Sequence, residues 1–243
     1  MLFYKAWRES RTRFLVGALA LAGYCAAVVF NRIGTEGAFS ERVVDHSYGE
    51  YIESLVFGGL GKLVFVLPAI FLGLGGLLRE RAHHTAAFTV ALPVSRAQLI
   101  GSQIAVGLGE LALLAVAPAL LIPPLSGVVH QSYPVAEALR YGLLRFVCGA
   151  FIFAIAFLLS VVLRGQYTAP MACWFGLLVQ AQVASWGPLR PYGLNPLRTM
   201  DGRWAWGGSN INDPLPWTGL SILMLIALAL LAAATKITQR QSL

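Results

Sequence analysis

Three ionisable residues sit inside runs that are otherwise apolar: Lys62, Glu110 and Arg145. A charge at membrane depth is costly, so such residues pair, line a watery path, or reach back to the headgroups. At a rise of about 1.5 Å per residue, Lys62 lies about 10 Å below one face of its run. Glu110 lies about 16 Å above the opposite face. In a hydrocarbon core about 30 Å thick these depths are similar. The expectation is that Lys62 and Glu110 pair or share a polar cavity, either on a substrate path or simply as a lock between helices. Arg145, near the end of its own run, is the competing partner, or else snorkels to the outer headgroups. Gln180 and Gln182 lie in another apolar run close to Trp174. Two residues apart, they face different sides of a helix, so one can bridge helices while the other faces a cavity.

Catalytic chemistry finds little footing. There is no G-x-S-x-G, no H-E-x-x-H and no pair of carboxylates within the apolar runs. No phosphate loop of the form G-x-x-x-x-G-K-[ST] occurs; the string GGLGKL around Gly61 and Lys62 lacks both the spacing and the final hydroxyl. Cys25, Cys148 and Cys173 all fall in apolar runs, where a thiol acts as a small hydrophobe. His83 and His84 are adjacent and do not share a helical face, and His46 and His130 stand apart. No catalytic residue and no metal site is expected.

The elements that hold these residues follow from composition. Of 243 residues, 57% are hydrophobic and 12% charged, against about 45–50% and about 25% in soluble domains. The mean hydropathy is +0.69. The apolar excess needs lipid, and the same figures exclude a disordered chain and a disulfide scaffold. Six runs approach the roughly 20 residues a membrane helix needs: 14–30, 55–78, 99–122, 142–163, 168–186 and 217–234. The expected fold is an all-α integral membrane protein, a single domain with six transmembrane helices.

Basic residues give the orientation. With both termini cytoplasmic, the inner segments carry a net charge of about +8 and the outer loops about −2, with about +1 left within the spans. The overall charge of +7 is thus a topology signal rather than a nucleic-acid footprint. The first run has a basic flank like a signal peptide, but Tyr24 and Cys25 interrupt any good cleavage site. It is expected to stay as the first span. Before it, Phe3, Trp7 and Phe14 share a helical stripe, which predicts a short N-terminal interfacial helix. Outside, the stretch YGEYIESL is expected to lie along the surface. The proline-rich segment 187–216, with Trp204 and Trp206, is expected to bar a regular helix and to sit at the interface.

The connection 79–98 carries the most local information. Residues 84–92 can form a short helix that Pro93 ends. Ser95 then fits as an N-cap, with Gln98 completing a capping box and Val94 and Leu99 forming a hydrophobic staple. A short helix, a hard stop and a capped restart would make a stiff protrusion at the membrane surface.

This string resembles the coupling segment of the ABC-2-type permeases of ATP-binding-cassette transporters. Those chains carry an acidic residue, a Gly-Thr pair, and a Leu-rich stretch ending in Pro-Val-Ser-Arg. Here Glu80, His84-Thr85, Ala91-Leu92 and Pro93-Val94-Ser95-Arg96 occupy those places. His84 stands where the family has glycine, and Gln103 where lysine is common. Six spans, an N-terminal interfacial helix, inward termini and a length near 240 residues are also similar to the family. The resemblance implies that Arg79, Glu80, Arg81, His84, Thr85, Phe88, Leu92, Pro93, Val94, Ser95 and Arg96 dock into a cytoplasmic ATPase dimer and transmit its closure. It implies a second permease copy, identical or related, and ATP and Mg bound by the partner ATPase, with no cofactor on this chain. It implies a place in the plasma membrane among its lipids, and an exporter. In the family, spans two and five meet near the dimer axis, which makes Lys62 and Gln180 candidate path residues. The family often places short half-entering helices in this last outer loop as a gate; the resemblance implies either such a gate here or an interfacial loop without gating. An ATP-independent six-span carrier or channel, or a membrane-embedded enzyme, are the alternatives.

Overall fold

The computed structural model describes residues 2–35, 48–74, 96–163, 168–186, 192–202 and 214–240. Every regular element among them is helical. They run in the order α1 (Leu2–Thr35), α2 (Tyr48–Ile52), a π-helical turn (Glu53–Phe57), α3 (Gly59–Gly73), α4 (Arg96–Val128), α5 (Val135–Val162), α6 (Thr168–Ala184), α7 (Pro196–Thr199) and α8 (Trp217–Arg240). Five stretches are long and apolar enough to cross a membrane: Leu2–Asn31, Tyr48–Gly73, Gln98–Val128, Val135–Val162 and Trp217–Arg240. The sixth expected span is α6, whose 17 residues rise about 25 Å.

Helix α5 is the centre. It packs against α3, α4, α6, α7 and α8, and its apolar residues occupy all sides, as they must in a helix surrounded by protein. Cys148, Ile152, Ala154 and Ala156 are fully buried. Around it, large apolar side chains such as Leu19, Leu113, Leu120, Phe175 and Leu225 point outward and are exposed. A surface of that kind belongs in lipid.

Glycine sets how closely the helices approach. A Cβ on Gly17 would lie 2.8 Å from Pro68 Cβ, one on Gly73 2.6 Å from the Phe153 carbonyl oxygen, and one on Gly107 2.7 Å from the Phe153 ring. These contacts join α1 to α3, α3 to α5 and α4 to α5, as small residues do in membrane bundles.

Four expectations need correction. No separate interfacial helix precedes the first span: α1 is one helix of 34 residues, about 51 Å long. Nothing in 2–14 can stop it. Ser10 bonds back to the Ala6 carbonyl at 3.1 Å instead of capping a new helix. Phe3 and Trp7 are exposed, although they share a face with the buried Leu21 and Cys25, five turns further on; Ala6, Gly17 and Val28 are buried as well. The third span does not end before Pro123, because α4 runs through Pro118, Pro123 and Pro124 to Val128. Ile122 and Ser126 are fully buried, and Tyr48 Oη and Ser126 Oγ are 2.6 Å apart. Packing offsets the roughly 3 kcal/mol that an interior proline costs.

The stretch YGEYIESL does not lie along a surface. Tyr48, Tyr51 and Ile52 are buried, and Tyr51 donates to the Val28 carbonyl at 3.1 Å. The second span is not continuous either. It breaks at Gly58 and Gly59, and Gly59 has φ +39°, a conformation that favours glycine. The proline-rich segment behaves as expected over its described part: in residues 192–202 the only α-helix is the four-residue α7. The coupling segment from 79 to 95, with the Ser95 cap, lies outside the described residues, as do Trp204 and Trp206.

Candidate functional site

Helix α1 serves as a ruler for the depth of each polar group. Its Ser10 meets Glu110 of α4, Gly17 meets Pro68 of α3, and Tyr24 meets the Leu55 carbonyl. Helices α1 and α3 are therefore antiparallel. From Ser10 to Gly17 and from Pro68 back to Lys62 is thirteen residues of helix, or about 20 Å along the axis. Lys62 and Glu110 accordingly do not pair. Their depths were matched by counting from the ends of apolar runs, and the ends of the helices lie elsewhere.

Lys62 finds a different acid. Its Nζ donates to Asp201 Oδ2 at 2.6 Å and to the Leu197 carbonyl at 3.1 Å. Both side chains are largely buried, at 19% and 15% exposure. Asp201 closes the segment 192–202, which is knitted to the bundle along its length. Asn195 caps α7 by accepting from the Leu197 and Arg198 amides. Its Nδ2 donates to the Ala181 carbonyl and to Ser185 Oγ, each at 3.0 Å. Gln180 Nε2 donates to the Leu194 carbonyl at 2.7 Å. Gln180 thus ties α6 to this segment, while Gln182 is exposed; the two face different sides, as their spacing requires.

Arg145 does not snorkel. It is fully buried, and its Nη2 donates to the Val56 carbonyl in the π-helical turn. Its guanidinium lies 4.9 Å from the Phe57 ring centroid and 5.5 Å from that of Phe65, two cation–π contacts. The break in the second span explains this position. Breaking a helix frees carbonyls that membrane depth cannot leave unpaired; Arg145 satisfies one and Tyr24 another. Nε and Nη1 of Arg145 have no hydrogen-bond partner among the described residues. Tyr141 and Asp201 are within its electrostatic reach, and Tyr141 also hydrogen-bonds Glu53. The Tyr141 ring stacks on Phe57 with centroids 4.1 Å apart. Tyr133, in the turn before α5, is buried as well, which pushes its phenol pKa up.

The result is a polar cluster of Glu53, Lys62, Tyr141, Arg145 and Asp201 between the broken span, the central helix and the segment 192–202. It unites Lys62 with Arg145 and brings in Asp201, Glu53 and Tyr141, which sequence reasoning did not single out. Asp201 was hidden because it lies in a connection rather than an apolar run. The Asn195-Pro196 pair was a usable sign, since Asn before Pro reads as a capped helix start.

Glu110 stands apart at the other end of the ruler. Its Oε1 accepts from Ser10 Oγ at 2.7 Å, and it is 4% exposed. Among the described residues no Lys or Arg pairs with it. The three cysteines are free and buried. No protein-family model matches the chain, and no curated protein matches it significantly.

Proposed function

We propose that this chain is the membrane permease subunit of an ATP-driven transporter of the ABC-2 type, an exporter that works with a cytoplasmic ATPase dimer and a second permease copy. The observation that carries this reading is the string Glu80, His84-Thr85 and Leu92 to Arg96 between two apolar helices. The short helix, proline stop and capped restart that this string predicts would suit a rigid lever at the membrane surface. The chain has no phosphate loop, so ATP and Mg would bind on the partner.

In this reading the six helices span the plasma membrane with both termini inside. The segment 192–202 then lies at the outer mouth, where Lys62 and Gln180 tie it to the second and fifth spans while Arg145 stays buried behind them. The Lys62–Asp201 bridge ties that segment to the broken second span. Alternating access needs elements that move against one another, and a span broken in its middle supplies such a joint.

The test is reconstitution with the partner ATPase. Glu80→Ala, or replacement of 92–96 by Gly-Ser, should abolish copurification of the ATPase or uncouple its hydrolysis from transport while the permease still folds. Wild-type binding and transport in both variants would overturn the assignment.

A further inference from the structure

Below the level of Lys62, the first helix, the end of α3 and the central helix enclose a small cavity of about 30 Å³. It is lined by Ala6, Glu9, Ser10, Leu72, Gln103 and Gly107, with Phe153 and Phe157 behind. That is room for a water molecule. Gln103, Gly107 and Glu110 follow at helical spacing on one face of α4. Ser10 belongs both to the cavity lining and to the hydrogen bond on Glu110.

Hydrogen-bond accounting shows what is missing. Glu110 Oε2 and Gln103 Oε1 are buried acceptors with no partner among the described residues. Ser10 has a single hydroxyl proton, and the Ala6 and Trp7 carbonyls compete for it with Glu110. The Gln103 amide nitrogen brings donors of its own, but Glu110 Oε2 and Gln103 Oε1 still lack one. Buried acceptors are rarely left so, and each carries a desolvation penalty. A proton on the carboxylate and a water in the cavity supply the donors the site lacks.

We infer that Glu110 is a proton-binding site that exchanges with the aqueous phase through the Glu9–Ser10–Gln103 cavity. Ser10, which lines the cavity, passes its hydroxyl proton to Glu110 Oε1 and takes one from the cavity water, leaving a neutral carboxylic acid; the water recovers its proton from solvent. Glu9 lines the cavity and is partly exposed, at 32%. The charged groups around the site come from α1: Glu9, its ion-pair partner Lys5 at 3.8 Å, and Arg13, which donates to the Phe71 carbonyl at 3.0 Å. From α3 and α5 the cavity receives Leu72, Phe153 and Phe157, which do not titrate. The ionisable residues of α8, Lys236 and Arg240, lie in its last turns. This inference does not depend on the transporter reading.

Infrared spectroscopy of the purified protein in lipid tests it. Wild type should show the carbonyl stretch of a protonated carboxylic acid that Glu110→Gln lacks, with intensity that falls reversibly as pH rises. In D₂O the band should shift quickly. Ala6→Leu, which fills the cavity, should slow that shift about tenfold; Gln103→Leu, which removes an acceptor without adding bulk, should slow it too. If wild type and Glu110→Gln show the same bands at every pH, or if both cavity variants exchange at the wild-type rate, the inference is wrong.

Discussion

Lys62, Asp201 and Arg145 are each held by short contacts, so their replacement should have graded consequences. Removing one partner of a largely buried ion pair strands the other. Lys62→Ala and Asp201→Ala should each lower stability by about 2 kcal/mol, the low end for such pairs because both groups retain some exposure. The reversed pair Lys62→Asp with Asp201→Lys should recover part of the loss in thermal unfolding in detergent. Strict additivity of the two alanine variants would show that the bridge is not a coupled unit. Arg145 differs, because its charge rests on a carbonyl and two aromatic faces. Arg145→Met keeps most of the volume and leaves mainly the Val56 carbonyl unpaired, about 1–3 kcal/mol. Arg145→Ala adds a cavity beside Phe57 and Phe65 and should be clearly worse. Equal losses would mean that packing against the rings contributes nothing.

Among the elements, glycine approach and the broken second span decide the architecture. At Gly73 any Cβ meets the Phe153 backbone, which cannot swing away as a side chain could. Gly73→Val should cost about 1–3 kcal/mol through overpacking. Gly109→Val on α4 should cost much less, since a Cβ there meets nothing within 4 Å; comparable unfolding midpoints would refute the tight α3–α5 seam. These elements also mark how far the sequence could be read. The long apolar runs became helices. What hydropathy cannot register is continuity. Nothing in the pattern around Phe14 says that α1 extends back to Leu2, or that burial of Ile122 and Ser126 carries α4 past Pro123 and Pro124. Depth counted from run ends therefore slipped, and Lys62 was matched to Glu110 instead of Asp201. Buried Arg145 was beyond reach for a related reason: its partner is a carbonyl freed by a helix break at Gly58, and a backbone acceptor leaves no trace in the sequence.

At the scale of the molecule, the open matter is how the bundle sits in the membrane. The asymmetry of basic residues predicts that both termini are cytoplasmic and the segment 192–202 is outside. The antiparallel course of α1 and α3 agrees with successive crossings without fixing which side is which. The protein carries a convenient background for the measurement. Its native thiols, Cys25, Cys148 and Cys173, are free and fully buried, so a membrane-impermeant maleimide should leave the folded wild type unlabelled. A cysteine introduced at Arg198, which is exposed at the surface of α7, should then react in intact cells. One introduced at Ser242 should react only after the cells are opened. If Ser242→Cys labels in intact cells while Arg198→Cys does not, the bundle is inverted. The chain would then present the 79–98 connection to the outside, where no ATPase could reach it, so the same two variants that establish orientation also decide whether the permease assignment is physically possible.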